Sequence, residues 1–354
     1  MQHWIKAVGT GKKGSRDLTY DEAVAAAHAV ARGESTEIQT AAFLMACRMK
    51  GESDDEMLAF IDVFRQYSLP FKSYSGAINC AGPYNGRSYF PITIPVSLLM
   101  ASVGVPQVLH GSEALPPKTG TSIKSLLEGI GVFTDLTVPQ WEQICSELHI
   151  GFIWTEKICP PMLNIRHVRE HMGLRTLMNT VEKVINPVHA KNMIIGVNHR
   201  TAMAHLVHIL PRAGFENAYI VQGIEGSEDL PVYKNSMIRK VTAYGDESMV
   251  IDPATFGFRG EPLVKCSLEE QLELLRRLVA GDDSADMKLY RDHVVFNAGL
   301  RLYWFDKVGT YEEGFQLAES LLQRKEAAKV LKKWIERSRA YSSGAGSGPG
   351  GAAL

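Results

Sequence analysis

The chain has 354 residues, 45% apolar and 22% charged, with a formal net charge of −1. These are the proportions of a globular protein long enough for two domains, and the near-neutral total gives no global attraction to nucleic acid. The sequence has neither a twenty-residue apolar run nor a charged-then-apolar N-terminus, so no membrane partner is expected and the expected location is cytoplasmic. The five cysteines form no CxxC pair, which argues for reduced thiols over a disulfide framework or a zinc site.

Residues 19–67 read as helices. LTYDEAVAAAHAVARG places Glu22 three residues after Thr19, a capping-box spacing, and its helical periodicity ends at Gly33. EIQTAAFLMACRMKG repeats the scheme and stops at Gly51, and SDDEMLAFIDVFRQYS opens on Ser53 and acidic residues, which suit a helix N-terminus. The pattern then alternates. GAINCA is strand-like, PITIPVSLLMASVGV a buried helix, PQVLHG a strand, SIKSLLEGIGV a helix, GFIWTEK strand-like and GLRTLMNTVEKVIN helical. NMIIGV, AYIVQGIEG and SMVIDPATFGF read as strands, with a helix near 199–213 between the first two; the segments from Ser267 to Tyr341 read as helices. Such alternation implies an α/β fold with a mostly parallel central sheet beside a small N-terminal helical domain. The expected boundaries are 1–72 for the helical domain, joined by part of 160–190, and 73–340 for the α/β domain. Residues 341–354, rich in Gly, Ser, Pro and Ala, are expected to be disordered.

Three loops follow strands, where open α/β sheets bind ligands: CAGPYNGRSYFPIT, LHGSEALPPKTGTS and QGIEGSEDLPVYKNS. In the second, Thr119, Gly120, Thr121 and Ser122 offer hydroxyls and backbone N–H groups just before a helical pattern, suited either to an anion or to ordinary capping. Arg87, Lys118, Lys124, Arg166, Arg169, Arg175, Lys183 and Arg200 are cations that either gather at a cleft or stay separately solvated. GTGKKG (9–14) matches GxGxxG but follows a helix-like stretch, so it reads as a basic turn. His167/His171 and His205/His208 have helical spacing, yet no HExxH or acidic partner completes a metal set.

The order of these loops, and the segments HGSEALPPKTGTSIKSLLEGIGV, HVREHMGLRTLMNTVEKVINPV and FNAGLRLYW, resemble the anthranilate phosphoribosyltransferase family from about Leu18 to Ile335. The resemblance implies a helical domain packed on an α/β domain, an active cleft between them and a homodimer. The family's diphosphate-wrapping GTGGD stands here as Ala81, Gly82, Pro83, Tyr84 and Asn85. Its KHGN becomes Leu109, His110, Gly111 and Ser112, and its SGS becomes Thr119-Gly120-Thr121. Thr93 falls at a magnesium-binding serine. Glu228-Asp229 stands where the family has an Asp-Glu pair holding Mg2+, with Glu225 nearby; the pair also reads as a solvated acidic turn. Arg169 matches the arginine facing the acceptor carboxylate, or is a helix-pairing charge, and the family's GP element has become Glu182-Lys183.

The function this implies is transfer of a phosphoribosyl-type group from a diphosphate-activated donor to an aromatic or amine acceptor with Mg2+. Gly82, Asn85, Thr93, His110, Gly111, Ser112, Lys118, Thr119, Gly120, Thr121 and Ser122 would hold the donor, Arg169 the acceptor, and Glu228 and Asp229 the metal. No residue offers itself as a general base, as expected for an amine needing little activation. The rewritten AGPYN loop favours a modified phosphorylated-sugar donor or a different acceptor. The alternative is a non-catalytic paralogue binding nucleic acid or a protein partner.

Overall fold

The computed structural model describes residues 1–11, 13–82, 86–118 and 120–344. Four helices open the chain: α1 (Gln2–Gly9), α2 (Tyr20–Ala31), α3 (Glu37–Lys50) and α4 (Asp54–Gln66). The Thr19/Glu22 box closes as the spacing predicts, with Glu22 N donating to Thr19 Oγ1 and Thr19 N to Glu22 Oε2. Thr36/Gln39 and Ser53/Glu56 do the same for α3 and α4. Glu56 does more than cap. Its buried carboxylate accepts from Ser53 N, Leu18 N and Lys50 Nζ, each at 2.9 Å, so it ties the approach to α2, the end of α3 and the start of α4 together.

The remaining elements are β1 (Ile78–Ala81), α5 (Thr93–Ser102), β2 (Gln107–Gly111), α6 (Ile123–Gly129), α7 (Val138–Leu148), β3 (Ile150–Trp154), α8 (Thr155–Ile158), α9 (Pro160–Asn164), α10 (Arg166–Met172), α11 (Leu177–Val184), β4 (Asn192–Gly196), α12 (Arg200–Arg212), β5 (Asn217–Val221), β6 (Ser236–Thr242), β7 (Gly245–Ile251), α13 (Leu268–Val279), α14 (Lys288–Trp304), α15 (Tyr311–Gln323) and α16 (Glu326–Gly344). The described strands form one seven-stranded sheet in the order β3-β2-β1-β4-β5-β6-β7. The first five are parallel and β6 and β7 antiparallel, so the sheet is mostly parallel. Strands β1 and β2 are buried along their whole length, as expected for strands covered on both faces.

Chain direction across the sheet reverses between β1 and β4. Connections from β1 run outward to β2 and β3, and those from β4 run the other way, so the carboxyl ends of β1 and β4 flank a crevice. The helical domain faces this crevice. α9 packs on α2, α10 on α3, and α11 on α3 and α4, so the 160–184 segment adds to the N-terminal helices. Arg65 of α4 fastens the two parts by donating to the carbonyls of Ile185 at 2.7 Å and Ala213 at 3.1 Å.

The structure differs from the sequence expectation in three places. The strand-like GFIWTEK stops at Trp154 and turns helical as α8. The hairpin partner β6 had no separate signal, because its burial alternates and its pairing comes from β5 and β7. Helix α16 continues to Gly344, into the segment expected to be disordered. Its later turns are held by Arg339 Nε on Gly131 O at 2.8 Å and Tyr341 Oη on Gln143 Oε1 at 2.6 Å. Residues 345–354 lie outside the described residues.

Replacing Glu56 by Ala strands the buried Leu18 N–H and takes from the nearly buried Lys50 ammonium one of its three partners, the others being Asp17 and the Gly51 carbonyl. It should lower unfolding stability by about 3 kcal/mol, with Glu56→Gln losing less, as measured by urea denaturation of the intact chain.

Candidate functional site

The acidic loop follows β5. Ile224–Gly226 makes a 3-10 turn, Glu225 sits at φ 53°, and Ile224 N closes the loop on Asp229 O at 2.8 Å. Gly196 at the end of β4 is required here: a Cβ would lie 1.8 Å from Ser227 O, so only glycine lets the acidic loop lie against the strand. Helix α14 supports the loop from behind. Asn297 Oδ1 accepts from Leu230 N and its Nδ2 donates to Leu230 O, both at 2.8 Å, and His293 Nε2 accepts from Val232 N at 3.4 Å. The result buries both Glu228 and Asp229.

Their partner is a guanidinium. Arg87 Nη2 donates to Glu228 Oε1 at 2.9 Å and Nη1 to Asp229 Oδ2 at 3.1 Å, and Arg87 is itself buried. Arg301 of α14 adds a second, reaching Asp229 Oδ1 at 3.5 Å and Glu228 O at 3.3 Å. Burial disfavours both carboxylates, but Arg87 and Arg301 overcome it at Glu228, which is held down at about 2. Asp229 is pushed up to about 6 by burial, with the neighbouring Glu228 charge adding to it. Thr93, fully buried at the start of α5, lies against the same pair.

The three loops are locked to each other around this cluster. Arg87 and Thr121 exchange backbone hydrogen bonds at 2.8 Å, which brings Gly86 onto Gly120 so closely that a Cβ on Gly86 would sit 2.2 Å from the Gly120 carbonyl carbon. Ser88 N donates to Glu225 Oε2 at 2.7 Å, and Lys118 reaches Glu225 at 3.7 Å. Thr121 Oγ1 accepts from Gln271, and Ser122 caps α6 by accepting from Ser125 N at 3.0 Å. Gly82 lies beside the Arg87 guanidinium. Asn85, Thr119, Pro83 and Tyr84 lie outside the described residues.

A divalent cation does not fit the pair as arranged. Two carboxylates are already balanced by two guanidinium charges, and the buried atoms without a hydrogen-bond partner include donors (Arg87 Nε, Arg301 Nε and Nη1) as well as acceptors (Glu228 Oε2, Asp229 Oδ1). Magnesium requires an acceptor-rich oxygen set. Among the described residues no group of three or more His, Cys, Asp or Glu side chains is placed to hold a metal. His167 and His171 instead lie ring to ring, centroids 3.9 Å apart and tilted by 55°, and His205 pairs with Asp54 at 2.6 Å.

The acceptor side has its own internal ion pair. Arg169 Nη2 donates to Glu182 Oε2 at 2.7 Å, and Ser112 Oγ donates to Glu182 Oε1 at 2.6 Å, all three buried. Burial pushes the Glu182 carboxyl up, against the pull of Arg169 and Ser112. His110 and Gly111 end β2, and burial lowers His110 to about 4. The other cations separate: Lys124 pairs with Glu113 and Glu128, Arg166 with Glu156 and Glu170, and Arg200 is exposed. Arg175 and Lys183 share a cavity, joined there by Arg48, a helix residue that no motif pointed to.

Residues 2–68 match the helical bundle domain of the glycosyl transferase family, and residues 83–328 match its a/b domain. The chain belongs to that family. It is 27% identical over 346 residues to an anthranilate phosphoribosyltransferase of Persephonella marina, covering 96% of this chain and 99% of the relative. It is 28% identical to one of Pseudomonas putida, covering 90% and 92%. Among solved structures, the anthranilate phosphoribosyltransferase of Thermus thermophilus superposes with a TM-score of 0.82 at 26% identity, covering 96% of this chain and all of that one. The Saccharomyces cerevisiae enzyme in complex with PRPP and Mg shares the fold, with a TM-score of 0.82 at 14% identity, covering 96% and 98%. No helix among the described residues is long and apolar enough to cross a membrane.

His293, lowered to about 4 by burial, keeps Nε2 available to accept from Val232 N only while neutral. A depressed folded-state pKa gives stability that is present above about 6.5 and lost as pH falls through about 4. The stability advantage of the natural chain over His293→Gln should therefore shrink across that window, read from urea midpoints at pH 7 and pH 4.5.

Proposed function

We propose that this chain is a phosphoribosyltransferase-like glycosyl transferase whose Glu228-Asp229 pair works without magnesium, transferring a phosphoribosyl-type group to an aromatic or amine acceptor. Family membership and the names of its relatives support the reaction class. One observation carries the departure in metal use: the Arg87 guanidinium is enclosed between the two carboxylates. In this reading Gly82, Thr93, His110, Gly111, Lys118, Gly120 and Thr121, with Asn85 and Thr119, form the donor side. Lys118, half exposed at the rim, is the cation able to move toward a donor phosphate. With the acids neutralised internally, the donor's diphosphate would be met by Lys118 and the hydroxyl and N–H groups of the loops rather than by a metal ion. The chain's contribution is positioning and charge neutralisation of the leaving group. Arg169 is assigned to an acidic acceptor, which would have to displace Glu182.

The Arg169–Glu182 pair favours a second reading, a non-catalytic paralogue that binds nucleic acid or a protein partner, because the acceptor arginine is already satisfied. A homodimer in the cytoplasm fits either reading.

Thermal unfolding with saturating phosphoribosyl pyrophosphate separates the two. Ligand at a hundred times its Kd adds about 2.7 kcal/mol, a rise of a few degrees. The proposed reading expects that rise to persist in EDTA. A rise that needs magnesium overturns the metal-free donor site, and no rise at millimolar ligand selects the second reading. Arg87→Ala should lower Tm, and millimolar Mg2+ should restore part of the loss in that variant alone, because the bared carboxylates then need a cation. Likewise Glu182→Ala leaves Arg169 buried and unpaired, costing about 3–5 kcal/mol. Added anthranilate should raise the Tm of this variant more than that of the natural chain if an aromatic carboxylate fits against Arg169.

A further inference from the structure

We infer that Lys183 of α11 is the base of the transfer, taking the proton that an amine acceptor gives up as it attacks the donor. This role rests on the transferase reading above and adds to it the proton acceptor that no sequence motif offered. Lys183 stands at the switch point of the sheet and is held from three sides. Its Nζ donates to the carbonyl of Gly196, at the end of β4, at 3.0 Å. It also donates to the carbonyl of Gly226, in the acidic loop after β5, at 3.3 Å. Asn79 Nδ2 of β1 donates to the Lys183 backbone carbonyl at 3.4 Å.

These contacts fix what the side chain can do. A tetrahedral amine nitrogen has one bond to Cε and three further directions. Two of them end on carbonyls, which accept and never donate, so both must carry hydrogen in either charge state. The third is the direction that changes, an N–H in the ammonium and a lone pair in the neutral amine. Lys183 is half-buried and lines the interdomain cavity of about 380 Å³, so this third direction is the one a bound acceptor can meet. Burial pulls the ammonium down to about 8; Glu228 pulls back, and Arg175 and Arg87 add to the fall. Across the cavity Arg48 and Glu52 oppose one another in sign, and His199 and His205 complete its titratable wall. A lysine that titrates there can both take a proton and return it to water, as a general base must.

The same wall suits a ring. Met57, Leu177, Ile195 and Leu206 give it apolar surface, and its volume holds a small aromatic molecule. The acceptor class is a neutral aromatic amine whose attacking nitrogen sheds a proton. In the step, that nitrogen bonds to the anomeric carbon of the donor. The bond from this carbon to the diphosphate oxygen breaks, and its electron pair leaves on the diphosphate. The N–H proton passes to the lone pair of Lys183 Nζ.

The first test needs no acceptor: competitive acetylation of the intact chain by trace acetic anhydride across a pH series, read lysine by lysine in mass spectrometry. Lys183 should reach half its limiting reactivity near pH 8, ahead of the exposed Lys332 and Lys333. A Lys183 that titrates together with those two overturns the proposal. The second test is pyrophosphate release from phosphoribosyl pyrophosphate with aniline and, separately, anthranilate, each with and without Mg2+. In the natural chain kcat should rise with pH through about 8 and then level. Lys183→Arg keeps the charge without an available lone pair, and should lower kcat by at least about a hundredfold with little change in KM. Lys183→Met should lose as much and regain part of the rate with added methylamine; if it fails to fold, Lys183→Arg carries the comparison. A natural chain that releases no pyrophosphate with either amine ends the transferase reading and this inference with it. Release that survives Lys183→Arg, or a loss confined to KM, overturns the role of Lys183 alone.

Discussion

A guanidinium enclosed between two carboxylates organises the cleft. Burying Glu228 and Asp229 is tolerable only if positive charge is buried with them, and Arg87 and Arg301 provide it. That requirement reaches outward through the backbone. Arg87 arrives at the acids only because Gly86 can lie on Gly120, and the acids arrive at Arg87 only because Gly196 admits the Ser227 carbonyl. Three loops that leave three different strands are thereby fixed against each other, and removing any one charge would leave the remainder unbalanced in a dry environment.

The same device recurs a short distance away. Arg169 is met by Glu182 and Ser112 from inside the protein. Both arrangements place a charged side chain of the chain itself against a residue that the family resemblance assigns to a charged ligand. The inner cleft therefore pairs its charges internally, while Arg48, Arg175 and Lys183 line a cavity beside β4 together with Glu52. The scaffold belongs to the glycosyl transferase family, while the electrostatics at the strand ends are arranged differently from what its loops alone suggested.

Much of the scaffold is legible along the chain because it depends on near neighbours. A Thr or Ser followed three residues later by Glu or Gln starts α2, α3 and α4, since the two side chains satisfy N–H groups within one turn. The buried parallel strands show as short apolar runs for the same local reason. Strand β6 and the end of α16 were not legible, because what holds them is contributed by β5, β7 and α7.

The site divides along the same line. Sequence by itself determined which residue types stand at the strand ends: the acidic pair, the glycine-poor first loop, the Thr-Gly-Thr run and the arginine of α10. Tertiary structure alone decided their partners. Arg87 and Glu228 are 141 positions apart, and Arg48 meets Arg175 and Lys183 only because α3 packs on α11. Charge pairing in a buried cleft depends on distance in space, and a linear pattern carries no record of which distant charge will arrive.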